Sequence, residues 1–242
     1  MDKKSSKLII YYFLGAVAIT GFIILGSLLD SHFGLTNVCQ TLAKLIVFEI
    51  CILFIRSKNL KYTIGFNFKN FFTPYLLLGL IPIFITLFMY YGPLNKPFDL
   101  SIIIIQYISI AASILWGETY FRGIGVYLFQ TEPIKRTIIL LTVTAGIVSF
   151  MTAILTNPFE IALLKSISSM ALGYFLLALY LKTNNILVPI SIHFCIHCSE
   201  IMFAILSTNP VSFGESSFYI LYLIEIIVLP IIGTLVLKKR SN

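Results

Sequence analysis

Long apolar runs separated by short polar breaks organise this chain, and none of the runs alternates with the period of two that marks a half-buried strand. Runs suited to crossing a hydrocarbon layer, which takes roughly 17–25 residues, fall at 8–29, 38–55, 74–91, 101–116, 137–155, 162–181, 186–206 and 218–237. The pattern predicts an all-α polytopic membrane protein with about eight transmembrane helices in one bundle. An outer-membrane barrel would instead show alternating apolar and polar residues. The second run contains Lys44 and Glu49, which are too poorly phased to pair with each other. Each is expected to meet a neighbouring helix or to extend its stem toward the interface. The fourth run is short but can continue through Phe121 if Glu118 and Arg122 pair inside protein. Pro82, Pro189 and Pro230 are expected to kink their helices, and residues 62–72, aromatic and basic, read as an interfacial stretch. Glu225 in the last run is expected to accept from a donor on another helix.

Composition agrees with the pattern. Hydrophobic residues make up 58% of the chain, charged residues 11%, and the mean hydropathy is +0.97; a soluble domain carries about 25% charged residues. A single transmembrane domain, 1–242, accounts for the whole length. The net charge of +7 is topological. Basic residues gather before the first run, between the second and third, after the fourth and sixth, and after the last. That alternation is the positive-inside pattern and places both termini in the cytoplasm of a multi-pass cell-membrane protein. It argues against nucleic acid as a partner and for the lipid bilayer. The first run is too long for the h-region of a signal peptide and reads as an uncleaved helix.

Candidate chemistry is concentrated in two places. Trp116-Gly117-Glu118-Thr119-Tyr120-Phe121-Arg122-Gly123 ends the fourth run with a carboxylate and a guanidinium four residues apart, one turn from each other on a helix. Charge at membrane depth is costly unless paired or facing a wet cavity, so this pair is either a junction that fixes a helix end or a functional site. The seventh run holds His193 and His197 about a turn apart, with Glu200 further along the same stripe. Imidazoles at this spacing can hold a divalent metal such as zinc, with Glu200 as a third ligand. They can equally position water, stabilise an oxyanion, or bond between helices. By depth, both clusters are expected to face one cavity open toward the cytosol. Cys195 and Cys198 form a CxxC inside the run but point away from His193 at helical spacing, which reads as packing. His32 lies in an outer loop and receives no role.

The segment from Glu118 to Gly123, followed by Leu187-Val188-Pro189-Ile190-Ser191-Ile192-His193, resembles the CPBP family of intramembrane proteases. That family includes CAAX prenyl endopeptidases, Abi proteins and bacteriocin-processing or immunity proteins. The resemblance covers 101–203, including the turn at Thr183-Asn184-Asn185 that leads into the third motif. It implies a membrane-embedded endopeptidase core in which Glu118, Arg122, His193 and His197 occupy catalytic positions. The implied partners are a peptide or membrane-protein substrate.

The departures from the family pattern bear on activity. Its first motif is Glu-Glu-x-x-x-Arg, and counting back from Arg122 puts the first glutamate, the general base, on Gly117. Its second motif ends in histidine, yet the chain has none between His32 and His193. In the third motif, His-x-x-x-Asn or Asp, the final position is His197. Glycine can neither take a proton from water nor stabilise an oxyanion, and Glu118 is weakened as a base while it is paired with Arg122. Two readings follow: an endopeptidase using Glu118 and the histidines, or a catalytically silent relative that binds a peptide, confers immunity or acts as a scaffold. A transporter is the third class, disfavoured because the chain shows no paired broken helices or two-half symmetry.

Overall fold

A computed structural model describes residues 3–60, 64–68, 71–80, 100–206 and 215–238, with side chains described at all of these except 3–4, 100, 102, 199–206 and 215–221. Among them the protein is helical. α1 spans Lys3–Phe33 and α2 Val38–Ser57; a 3-10 turn covers Pro74–Gly79. α3 (Leu100–Glu118) passes through a π turn (Thr119–Ile124) into the short α4 (Gly125–Leu128). α5 (Ile134–Ala153), α6 (Phe159–Thr183), α7 (Leu187–Leu206) and α8 (Glu215–Lys238) follow. Four described helices, α1, α2, α5 and α6, are long and apolar enough to cross a membrane. The predicted third span begins at the 3-10 turn, and its remainder, including Pro82, lies outside the described residues.

Prolines and asparagines set several boundaries. Pro133 and Pro158 immediately precede α5 and α6, which start three residues before the predicted spans because a fixed φ favours helix entry. Asn184 closes α6 in the left-handed conformation, φ 48°, a turn that asparagine tolerates better than most residues. Pro189 is the third residue of α7. Its missing N–H therefore falls where a helix has no internal acceptor, and it starts the helix rather than kinking it. Pro230 lies inside α8, where the Thr234 hydroxyl donates to its carbonyl at 2.8 Å.

Packing inverts the soluble pattern. On α2 the small or slim Ala43, Val47, Cys51 and Ile55 are buried, while Leu42, Ile46, Ile50 and Leu53 are exposed. Small residues let helices approach where lipid supplies no hydrophobic drive between them. The exposed stripes of α1, α2, α5 and α8 suit a lipid surface. α2 pairs with α1 and α3, α7 with α3 and α6, and α6 packs extensively against α5 and α8. The α3–π–α4 rod thus touches both α2 and α7.

Candidate active site

The Glu118–Arg122 pair forms and is buried. Arg122 Nη1 donates to Glu118 Oε1 at 3.0 Å, with the two residues 6% and 0% exposed. Burial in protein is the condition under which the fourth span was expected to lengthen, and the rod runs on to Leu128. The ladder changes at this point: Thr119–Ile124 form a π turn, an i→i+5 insertion found often at functional sites. Tyr120 secures the turn to α1, its hydroxyl donating to the Tyr12 carbonyl at 2.7 Å while the rings stack at 5.0 Å.

Arg122 is held from a second side. Its Nη2 donates to the Gly173 carbonyl of α6 at 3.2 Å, and a Cβ at Gly173 would stand 3.3 Å from that nitrogen. The glycine gives the guanidinium its space. The residue pattern did not announce this contact; a glycine inside an apolar helix was the available signal.

α7 completes the cluster. His193 Nδ1 lies 2.6 Å from Glu118 Oε1, which therefore accepts from both imidazole and guanidinium. The His197 ring is 4.8 Å from that of His193, centroid to centroid. The other carboxylate oxygen, Glu118 Oε2, is buried without a hydrogen-bond partner among the described residues, as are Trp116 Nε1 and Thr119 Oγ1 close by in sequence. An ionised carboxylate has acceptor capacity on both oxygens; here one is doubly engaged and the other has capacity to spare. Gly117 is buried, yet a Cβ built there would meet no described heavy atom within 4 Å.

Glu118, Arg122, His193 and His197 thus come together. Glu200 lies on α7, but its side chain falls outside the described residues. Among the described residues, no group of three or more His, Cys, Asp and Glu side chains gathers as a metal set. Cys195 and Cys198 are free thiols, and Cys195 packs beside Gly79 of the 3-10 turn. His32 meets the Phe33 ring edge-on at the end of α1.

Residues 99–199, which contain the entire Glu118–Arg122–His193–His197 cluster, match the family model described as type II CAAX prenyl endopeptidase Rce1-like. No curated protein and no solved structure matches the chain. Over this segment, with its acid and imidazole in direct contact inside an apolar helical bundle, the chain is similar to the CAAX-type membrane proteases.

Proposed function

We propose that the protein is an intramembrane endopeptidase that cleaves a peptide or membrane protein with a water activated by Glu118. The observation that carries this reading is the division of labour on one carboxylate. Oε1 accepts from Arg122 and His193, whereas Oε2 is buried and unengaged by described residues. Glu118 therefore need not abandon Arg122 to meet a water through Oε2. In this mechanism Oε2 takes a proton from water as the oxygen attacks the scissile carbonyl, and returns it to the departing amine. Arg122, fixed by Gly173, holds the carboxylate in place. His193 orients it from α7, and the neighbouring His197 lies within reach to stabilise the tetrahedral oxyanion. The reacting core is 101–203, and the cavity opens toward the cytosol, where both termini lie.

A second reading has its own observation. Gly117 supplies no carboxyl where the family pattern has its first glutamate, which favours a silent relative using the same cavity for peptide binding, immunity or scaffolding. Reconstitution in vesicles with candidate peptides separates the two. Cleavage that disappears in both Glu118→Gln and His193→Ala supports the peptidase. Binding without cleavage, unaffected by those changes, supports the silent relative and ends the peptidase reading.

A further inference from the structure

Apolar packing between helices is non-directional and resists sliding only weakly. A contact of 2.6 Å between α3 and α7 therefore needs something directional to fix their register. The described segment 64–68 supplies it. Ile64 is fully buried against the π turn, close enough that a Cβ at Gly123 would stand 2.9 Å from its Cγ2. Gly65, at φ +78°, passes so near the α6–α7 turn that a Cβ would come within 2.1 Å of the Asn184 carbonyl oxygen. Two residues on, the Asn67 carbonyl accepts from Asn185 Nδ2 at 2.7 Å.

Asn185 is 1% exposed and has both ends of its amide engaged. While Nδ2 reaches back to Asn67, Oδ1 accepts from the Leu187 N–H at 3.0 Å, capping the first residue of α7. His193 lies six residues further, about 9 Å along the axis at 1.5 Å per residue. The same short segment thus grips the turn that carries Arg122 and the head of the helix that carries His193. We infer that Asn185 is a positioning residue, joining the 64–67 segment to the head of α7 and thereby setting the Glu118–His193 contact. The geometry stands by itself; its consequence for turnover rests on the peptidase reading.

Two substitutions separate the tie from the cap. Asn185→Asp and Asn185→Ser keep an oxygen for the Leu187 N–H but lose the Nδ2 donor to Asn67. Gly65→Ala attacks the same junction from the other side. The readout is the 15Nδ1 resonance of His193 in the full chain, labelled at histidine in lipid nanodiscs and assigned by its loss in His193→Gln. Both Asn185 variants and Gly65→Ala should move this resonance toward its position in Glu118→Ala, and combining Asn185→Ser with Gly65→Ala should add little. Asp30→Ala, a destabilising change elsewhere, should leave it in place, which a general loss of stability would not. Where cleavage is measurable, kcat should fall by at least about 10-fold with KM nearly unchanged, since ~1 Å of misplacement can cost on the order of 10²-fold. An unmoved resonance in folded Asn185→Ser and Gly65→Ala protein overturns the inference. A wild-type protein that cleaves nothing counts against the peptidase reading alone, because the resonance still judges the tie.

Discussion

Two of the polar clusters described within the apolar bundle use their carboxylates differently. At the α1–α2 end, Asp30 is buried and both its oxygens are occupied, accepting from the Cys39 and Gln40 N–H groups at 2.7 and 2.9 Å. These are orphan donors of the first turn of α2, whose own N-cap, Asn37, makes no side-chain cap bond. Nearby, Lys44 Nζ donates to Gln40 Oε1 and across to Ser109 Oγ of α3. In the Glu118 cluster a carboxylate is still more buried, but one oxygen takes two donors and the other takes none among the described residues. Asp30 commits both of its oxygens to the fold. Glu118 leaves one oxygen unengaged by described residues at a place where burial makes that costly, and the proposed chemistry rests on this contrast.

The contrast can be broken first at Glu118. Glu118→Ala should abolish peptide cleavage, a loss of at least about 10³-fold. It should also destabilise the protein by about 3–5 kcal/mol, because the Arg122 charge would be left buried and uncompensated. Vesicle cleavage assays and thermal melts measure the two effects separately. Glu118→Gln should lose cleavage as fully while folding better, since the amide oxygen still accepts from Arg122.

Gly117→Glu sharpens the comparison in the opposite direction. The open space around a Cβ there predicts a folded protein, and a second carboxyl beside Glu118 should raise cleavage above wild type. A variant that folds yet cleaves no faster would show that the glycine is not what limits the rate. Gly173→Ala should have a smaller effect. Its methyl crowds Arg122 Nη2 at 3.3 Å, and cleavage should drop by roughly 10-fold, about 1.4 kcal/mol of barrier, with little change in melting temperature.

At the other cluster the signature should reverse. Asp30→Ala removes a cap, which should cost about 1–2 kcal/mol of stability, and it should leave cleavage as it was. Any matching loss of cleavage would mean that the two clusters are coupled. Zinc should have the smallest effect. Saturating a site about a hundredfold above Kd adds ~2.7 kcal/mol to stability, and no such rise is expected from two imidazoles alone. A zinc-dependent increase in melting temperature that Glu200→Ala removes would instead establish the His193, His197 and Glu200 set.

Much of this arrangement was legible in the chain. Apolar run length marked the helices, and the i, i+4 spacing of Glu118 and Arg122 foretold their pairing because helical geometry is local. The meeting of Glu118 with His193 was foreseen only from matching depths and from the family resemblance. Lys44 was expected to meet a neighbouring helix or to extend its stem toward the interface, and it meets Ser109. Glu225 was expected to find a donor on another helix, and it accepts from Ser168 of α6. The π turn was not foreseen, since one inserted residue in a helical ladder leaves no hydrophobic period to read. Nor was the Asn185–Asn67 bond, which joins residues far apart in sequence through a side chain that looks like ordinary turn chemistry.

The sequence by itself determined the solvent of this protein, its helical class and the residues able to do acid–base work, because hydropathy and helical spacing act over a few turns. Which oxygen of Glu118 is engaged, what makes room for Arg122, and what ties the head of α7 to the π turn were decided only by tertiary structure. Those features depend on partners brought together from different helices, and on carbonyl groups that every residue carries and no residue letter announces.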